Sequence, residues 1–347
     1  MKVKTYKMEY PENQEYYNLN KILTINADVY FIMSIRDLGK SYDARKKLVK
    51  SMKNGFNNAW LRWDKTETAT ANDKFSTSED MLKGHIPNSN IGYVVNDDLN
   101  KTYFLSVKSA MSYKDFGIDN LNYVVYDECV PEHYDIRTRR ETEFKKLMSL
   151  YDTIKRDSNA RLIMICNCID WFNPFTAGWE IYPFNQGLAK LFIRKMNIDG
   201  KDYEMKICVE NVKPTKAMIE RVAKLQVLKG NYKTVQEYFK NVTTTQYHLI
   251  ENCPDKRISL TDLQFRIGNN YYSYRQKGQY YYFVKVKKRD NIDTESPDIH
   301  DIRKGEFRTV ELGKSIEHLV NLGKIRFDNG HTYNSVMKMI YKYRERL

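Results

Sequence analysis

The sequence contains no apolar run that approaches the roughly 18 residues needed to cross a bilayer, and its first ten residues lack an apolar signal core. We therefore expect a protein without a membrane segment that stays in the cytoplasm where it is made. Cysteine is scarce and odd in number, with five residues in 347, and Cys166-Asn-Cys168 lacks the C-x-x-C spacing of a zinc or redox site. We interpret the cysteines as small core residues in a reducing compartment.

Acidic residues are outnumbered, because 57 Lys and Arg stand against 44 Asp and Glu and give a net charge of +13. An excess of this size predicts a polyanionic partner, most often nucleic acid, although a merely soluble basic protein would also show it. Residues 257–347 carry +7 of the total. The apolar content of 41% is sufficient for packed cores, and the length indicates two domains.

The stretch from Val29 predicts a phosphate-binding loop. Five apolar or aromatic residues form a candidate buried strand, Gly39-Lys40-Ser41 closes a tight loop, and the following residues have helical spacing. Backbone N–H groups at a helix start favour an anion, Lys40 would reach the β- and γ-phosphates of ATP, and Ser41 would ligate Mg²⁺. The candidate nucleotide-binding residues are Ser34, Ile35, Arg36, Asp37, Leu38, Gly39, Lys40, Ser41 and Tyr42.

The loop pattern G-x-x-x-x-G-K-[ST] is incomplete, because Ser34 occupies the position of its first glycine. Gly-Lys-Ser by itself also occurs in ordinary strand–turn–helix units. A second motif is therefore needed to choose between a nucleotide site and a simple turn.

The second motif is a strand at residues 121–126 that ends in Asp127 and Glu128. This is the Walker B arrangement, in which the Asp holds Mg²⁺ through water or the loop hydroxyl, and the next acid orients and deprotonates the attacking water. A single strand of this kind is more often a core strand with acids at its exposed end. The two motifs together, in this order, favour nucleotide hydrolysis.

A further buried strand at residues 161–166 ends at Asn167. An Asn after a strand that follows Walker B fits a sensor that contacts the γ-phosphate or the attacking water. Asn167 fits a turn residue equally well.

Four stretches together resemble the DNA-packaging ATPases of small tailed phages of the phi-twenty-nine type. That family consists of ring ATPases of the additional-strand, catalytic-Glu (ASCE) P-loop class, related to the FtsK/HerA translocases and the large terminases. The stretches are residues 35–42, 124–128, 150–156 and 173–175.

The resemblance implies an α/β fold in which an ASCE P-loop ATPase domain with a central, mostly parallel sheet spans residues 1–198. A helical linker subdomain at 199–256 and a smaller α+β domain at 257–347 follow. The last domain would have an RNase H-like, nuclease-derived fold without nuclease activity. Residues 271–287 agree with this, since they contain no Asp or Glu, whereas a two-metal nuclease needs several converging acids.

The resemblance also implies roles for basic residues outside the two motifs. Arg156 occupies the position of an arginine finger that acts on the neighbouring subunit's nucleotide. Lys65 matches a basic residue of the nucleotide site that can act in trans. Lys114 matches a lysine of the pore loop that grips DNA, and Lys108 in the same polar segment is a second candidate DNA contact.

We therefore expect an ATP hydrolase with ATP and Mg²⁺ as its nucleotide and metal. It would act as a motor that translocates double-stranded DNA into a viral procapsid and hydrolyses ATP between the subunits of a ring. By resemblance, the ring is a pentamer on the portal vertex of a procapsid in the host cytoplasm, and participation of a scaffold RNA stays open. The alternatives are a helicase or conjugation-type DNA translocase, and a non-enzymatic nucleic-acid-binding protein with a degenerate P-loop.

Overall fold

A computed structural model describes most of the first 228 residues and parts of the remainder. The described residues are 2–79, 81–87, 91–130, 142–156, 158–167, 171, 173–199, 201–228, 263–267, 270–277, 280–287, 294–295, 319, 325–328, 330, 332–333 and 335–336. The chain divides into two compact units, Met1–Ile169 with Asn185–Phe239, and Asp170–Phe184 with Lys240–Leu347. The three predicted domain boundaries stay a prediction.

A ten-stranded sheet forms the centre of the first unit. Its strands are β1 (Lys2–Lys7), β2 (Val29–Met33), β3 (Asn57–Arg62), β4 (Leu82–His85), β5 (Gly92–Val95), β6 (Lys101–Ser106), β7 (Leu121–Asp127), β8 (Arg161–Cys166), β9 (Leu188–Ile198) and β10 (Lys201–Asn211). The order is β1-β9-β10-β2-β8-β7-β3-β6-β5-β4, and the six strands from β10 to β6 run parallel. The predicted α/β class with a large, mostly parallel sheet is confirmed.

Strand β8 lies between β2 and β7, so an additional strand separates the phosphate loop from the acid pair. The register places Met33 beside Cys166 and Asp127 beside Ile165. The carboxyl ends of β2, β7 and β8 therefore meet at one edge of the sheet, where ligands of open parallel sheets bind.

Helices connect these strands. They are α1 (Leu19–Leu23), α2 (Lys40–Lys53), α3 (Lys65–Glu79), a 3-10 helix η1 (Val107–Tyr113), α4 (Thr142–Lys155) and α6 (Lys216–Leu228) in the first unit, with α5 (Pro174–Gly178) in the second. Helix η1 occupies part of the segment predicted to be a polar loop. None of the described helices is long and apolar enough to span a membrane.

An aromatic cluster fixes the position of β3 at the centre of the sheet. The ring of Trp60 lies edge-to-face on Phe75 of α3 with centroids 5.3 Å apart, and Phe75 meets Phe104 of β6 in the same way at 5.4 Å. Such pairs contribute about 0.5–1.5 kcal/mol beyond the burial of their area. The packing holds the end of β3, and therefore Arg62, at the carboxyl edge.

Three of the cysteines confirm the interpretation of small core residues. Cys129, Cys166 and Cys208 are buried as thiols rather than as disulfides. Cys168 and Cys253 lie outside the described residues.

The second unit contains a five-stranded sheet. Its strands are β11 (Leu263–Ile267), β12 (Asn270–Lys277), β13 (Tyr280–Val286), β14 (Thr294–Glu295) and β15 (Ile325–Phe327), in the order β14-β11-β12-β13-β15. Phe327 stacks on Phe283 and meets Tyr333 edge-to-face, and all three rings are buried. The RNase H-like identity of this unit stays a prediction. Half of the predicted linker subdomain at 199–256 lies outside the described residues.

Candidate nucleotide-binding site

The phosphate loop begins directly after β2, whose five residues are all buried. Gly39 precedes α2 and has φ 84°, a left-handed conformation that glycine adopts without a steric penalty. Ser34 is fully buried, and its hydroxyl donates to the carbonyl oxygen of Ile35 at 3.0 Å. A serine is therefore accommodated where the motif has glycine, because its small side chain turns back onto the loop.

Two side chains at the start of α2 tie the loop together. The ammonium group of Lys40 donates to the carbonyl oxygen of Ile35 at 2.7 Å, and Lys40 is 3% exposed. The hydroxyl of Ser41 donates to Oδ1 of Asp127 at 2.6 Å. The loop and the acid-bearing strand are thus linked directly, although β8 separates their backbones.

The two acids at the end of β7 share one arginine. Nη2 of Arg62 lies 2.7 Å from Oδ2 of Asp127, and Nη1 lies 2.5 Å from Oε2 of Glu128. Glu128 has φ 54°, so the chain turns sharply where the strand ends and presents both acids at the edge. The guanidinium neutralises charge that is otherwise costly to bury.

Burial and ion pairing shift the pKa values of Asp127 and Arg62 in opposite directions. Burial raises the pKa of Asp127, and the guanidinium of Arg62 and the hydroxyl of Ser41 offset part of that rise. Burial by itself would lower the pKa of Arg62, but Asp127 and Glu128 outweigh it and the pKa is raised. Arg62 therefore stays charged and favours the ionised form of Asp127.

Glu128 has two further polar neighbours. Asn167 follows β8 and donates from Nδ2 to Oε1 of Glu128 at 3.3 Å, and Nη2 of Arg36 from the phosphate loop lies 3.8 Å from the same oxygen. The structure therefore brings Asn167, Arg36 and Glu128 together. The contact between Asn167 and Glu128 is one that a sensor residue would make, and the sensor role of Asn167 is a proposal.

Other predicted site residues lie apart from this cluster. Arg156 has φ 46°, and its guanidinium donates to the carbonyl oxygen of Asp115 at 3.2 Å. A Cβ at position 117 would overlap that guanidinium, so Arg156 packs on the backbone between η1 and β7. Lys65 is exposed at the start of α3.

The two candidate DNA contacts lie on η1. Lys108 pairs with Asp64 at 3.0 Å, so its charge is partly matched within the chain. Lys114 is exposed at the C-terminal end of η1. Tyr42 begins the exposed side of α2 and has the ammonium of Lys46 4.6 Å from its ring centroid.

Sequence reasoning missed Arg62 and the contacts on the outer side of the loop. The sequence does contain one signal for Arg62, because it is the single charged residue within the apolar and aromatic stretch 59–63. No local pattern indicated that Arg221, in α6, reaches the phosphate loop at Asp37.

Family comparison identifies the relationship. A family model described as podovirus DNA encapsidation protein (Gp16) matches residues 12–192, which is more than half of the chain. The chain belongs to the podovirus DNA encapsidation protein family. The predicted relationship to phage DNA packaging is thereby confirmed. No curated protein matches the chain by sequence.

Two solved structures with TM-scores above 0.5 support the fold of this family member, and a third is similar at a lower score. The Phi-28 gp11 DNA packaging motor has 16% identity and a TM-score of 0.58, over 95% of this chain and 98% of the other. The bacteriophage Phi-29 viral genome packaging motor assembly has 17% identity and a TM-score of 0.56, over 94% and 100%. The N-terminal domain of the phi29 DNA packaging ATPase has 21% identity and a TM-score of 0.44, over 58% and 97%.

Proposed function

We propose that this chain is the ATP-hydrolysing subunit of a motor that drives double-stranded DNA into a phage procapsid. The observation that carries the proposal is the hydrogen bond from Ser41 to Asp127, with Glu128 next in sequence. It joins a phosphate loop to a Walker B acid across an additional strand, which is the arrangement needed for phosphoryl transfer to water. Membership of the DNA encapsidation family supports DNA as the cargo.

The residues at the sheet edge fit a nucleoside triphosphate and Mg²⁺. Mg²⁺ prefers oxygen ligands and is usually held by one or two carboxylates together with substrate phosphates. The Ser41 hydroxyl and the Asp127 carboxylate, 2.6 Å apart, are two such oxygens. Held there by Ser41 and Asp127, Mg²⁺ would supply positive charge to offset the charge that develops on the phosphoryl group.

The chain's own groups then have distinct tasks. Lys40 binds the β- and γ-phosphates, for which its ammonium leaves the carbonyl of Ile35. Glu128 accepts the proton of the attacking water, and Asn167 orients Glu128 or the water. Both carboxylate oxygens of Glu128 have a partner, Arg62 at Oε2 and Asn167 at Oε1, so Glu128 must exchange one of these contacts for the attacking water before it acts. Arg156 would act on the nucleotide of the neighbouring subunit. Its side chain is exposed, and its described contacts are with the backbone near Asp115 and Gly117 rather than with the acid pair.

The assembly is the remaining part of the proposal. The similar structures are of a packaging motor and of a genome packaging motor assembly, which supports an assembly of several subunits. A ring of five subunits is the arrangement that the family resemblance implies. The ring would sit at the portal vertex of a procapsid in the host cytoplasm, with double-stranded DNA held by Lys114 and Lys108. The RNase H-like C-terminal domain is a further feature of this proposal, which leaves open whether a scaffold RNA takes part.

The ATPase is tested with Lys40→Ala and Glu128→Gln in the full-length protein, with exposed Lys46→Ala as a control on the same helix. Lys40→Ala should abolish nucleotide binding, because the loop loses its phosphate cation. Glu128→Gln should bind ATP normally and lose about 10²–10⁴-fold in DNA-stimulated turnover. Near-normal turnover in Glu128→Gln would show that the base lies elsewhere.

The DNA motor is tested by packaging. Purified procapsids with the wild-type protein and ATP should protect DNA from added nuclease, and Glu128→Gln should not. DNA-stimulated hydrolysis without protection would instead favour a helicase or conjugation-type translocase.

A further inference from the structure

Two segments far apart in sequence hold the outer side of the phosphate loop. The backbone N–H of Tyr17 donates to the carbonyl oxygen of Leu38 at 2.8 Å. Tyr17 belongs to the N-terminal arm, the segment 8–18 between β1 and α1. Nη2 of Arg221, in α6, donates to the carbonyl oxygen of Asp37. Two consecutive carbonyls of the loop are therefore engaged by the arm and α6.

The orientation of these carbonyls decides where the loop's N–H groups point. In a planar trans peptide, the C=O and the N–H of the same unit point in opposite directions. The carbonyl of Asp37 shares its peptide with the N–H of Leu38, and the carbonyl of Leu38 shares its peptide with the N–H of Gly39. Both N–H groups thus point away from Arg221 and the arm, and successive N–H groups of this kind form an anion-binding concavity.

The loop conformation is not one that the chain adopts by default. Asp37 has φ 64°, and Gly39 has φ 84°. A non-glycine residue in the left-handed region costs roughly 1–2 kcal/mol, and such conformations persist only where the surroundings determine them. Arg221 helps to fix this conformation, because it donates to the carbonyl oxygen of Asp37, the residue with the positive φ.

The guanidinium of Arg221 makes three contacts that use its planar shape. Besides Asp37, it donates from Nε to the carbonyl oxygen of Glu15 at 3.0 Å and lies 4.2 Å from the ring centroid of Tyr16. Tyr16 in turn covers Gly39, since a Cβ at position 39 would lie 2.8 Å from Cδ1 of its ring. A lysine ammonium cannot donate to both carbonyl oxygens in this planar geometry and also stack on the ring of Tyr16.

Helix α6 is itself fixed to the arm. The hydroxyl of Thr215 donates to the carbonyl oxygen of Gln14 at 2.6 Å and accepts from the N–H of Met218 at 3.1 Å. The backbone N–H of Ala217 donates to the carbonyl oxygen of Glu12 at 3.3 Å. Arg221 is therefore presented to the loop from an anchored helix.

We propose that Arg221, supported by Tyr16, is a positioning residue that holds the phosphate loop with its N–H groups directed at the α- and β-phosphates of the nucleotide. The inference rests on the proposed nucleotide site. It predicts an effect shared by nucleoside diphosphates and triphosphates, because loop N–H groups cradle the phosphates that both have. A direct contact of Arg221 with the γ-phosphate would affect the triphosphate alone.

The test compares full-length Arg221→Gln, Arg221→Lys and the control Lys224→Gln, an exposed position one turn further along α6. Fluorescent ADP and a slowly hydrolysed ATP analogue serve as probes with Mg²⁺ present. Arg221→Gln should weaken both by a similar factor of about tenfold or more, the loss expected for a hydrogen bond to a charged group. KM should rise while kcat stays nearly constant, Arg221→Lys should be intermediate, and Lys224→Gln should match the wild type.

Three binding outcomes would overturn the proposal. Normal affinity for both probes in Arg221→Gln would show that the loop does not need the clamp, by which we mean Arg221 and the ring of Tyr16 that supports it. Weakened binding of the ATP analogue with normal ADP binding would make Arg221 a γ-phosphate ligand. An equal loss in Lys224→Gln would show a general effect of charge on α6. If Arg221→Gln does not fold, Tyr16→Leu removes the stacked ring instead and should raise both dissociation constants in the same proportion.

Amide hydrogen exchange separates this inference from the proposed function. In the nucleotide-free protein, residues 34–41 should exchange faster in Arg221→Gln than in the wild type or Lys224→Gln. Faster exchange supports the clamp even where the wild type binds no nucleotide, a result that would overturn the proposed function alone. Unchanged exchange would overturn the clamp whatever the binding result.

Discussion

The acid pair at the sheet edge relies on Arg62, and replacing that residue gives a sharp test of the site's electrostatics. The side chain of Arg62 is 14% exposed and that of Asp127 is 1% exposed, so water and salt screen their attraction only weakly. Arg62→Gln keeps a polar side chain and removes the charge. It leaves Asp127 as a buried carboxylate without its guanidinium partner, which should destabilise the nucleotide-free protein at β7.

The expected magnitude follows from the geometry. At an effective dielectric constant of about 20 and a charge separation of about 4 Å, the attraction is about 4 kcal/mol. Removing one member of a buried pair typically costs about 3–5 kcal/mol. Protonation of Asp127 limits the loss, since burial already raises its pKa. We therefore expect about 3 kcal/mol at pH 8.

The sign of the pH dependence can be worked out. Arg62 lowers the pKa of Asp127, so in Arg62→Gln that pKa rises further. As the pH falls through it, Asp127 becomes neutral in the folded variant and no longer needs a cation. The destabilisation should consequently shrink as the pH falls through the raised pKa of Asp127.

The assay is a double-mutant cycle of Arg62→Gln and Asp127→Asn in the full-length chain. The free energy of opening is measured by amide exchange of residues 121–127, corrected for the intrinsic exchange rate at each pH. The control cycle uses Lys83 and Asp73, which are also 2.7 Å apart but are 45% and 70% exposed, with exchange measured across β4. Surface pairs contribute about 0–1 kcal/mol, and the control should fall there.

A coupling between Arg62 and Asp127 as small as that of the control pair at pH 8 would refute the reasoning. So would a destabilisation by Arg62→Gln that stays the same as the pH is lowered from 8 to the acid limit of the folded protein.

Three further predictions concern residues elsewhere in the first unit. Subunits with Arg156→Ala and with Lys40→Ala, each inactive alone, should regain ATP hydrolysis when mixed, because an arginine finger acts on a neighbour's nucleotide; mixed rings that exchange subunits and stay inactive would count against that role. Lys114→Ala should lower DNA-stimulated ATPase activity more than basal activity, and it should reduce the salt dependence of DNA binding, because that dependence reflects the number of phosphate contacts. Lys53→Ala, which also replaces an exposed lysine, should change neither quantity. Burial raises the pKa of Glu210 to about 7, although Tyr10 and Tyr17 donate to it at 2.7 and 2.6 Å. The folded protein then binds this proton more tightly than the unfolded chain and loses stability as the pH rises from about 4.5 to about 7. Glu210→Gln should lack this loss, of up to about 3 kcal/mol, in the opening free energy of β10 by amide exchange at pH 5 and pH 8; an identical pH dependence in wild type and variant would exclude it.

Several features of the fold were predictable because they arise from local pattern. Apolar runs such as Val29–Met33 are typical of strands that are buried on both faces of a sheet, and Gly39 marks a turn with positive φ. Acids at the end of such a strand must lie at the carboxyl edge. The order of the phosphate loop, Asp127 and Asn167 along the chain was therefore enough to predict a shared site.

The partners of these residues could not be predicted in the same way. Arg62 is a strand-end residue with no motif of its own, and only the pairing of β3 with β7 brings its guanidinium to both acids. Arg156 carries a motif, yet its contact with the backbone near Asp115 depends on how α4 packs beside η1.

The sequence by itself indicated the buried strands, the candidate phosphate loop and the acids at a strand end, because each depends on residues that are neighbours in the chain, and the resemblance carried by these motifs implied the α/β class. Only the tertiary structure decided that β8 separates the loop from Asp127, that Ser41 nevertheless bonds to that acid, and that Arg221 holds the loop from 184 residues away. The physical reason is that hydrogen bonds and ion pairs act over a few ångströms in space, and separation along the chain does not specify which groups approach so closely.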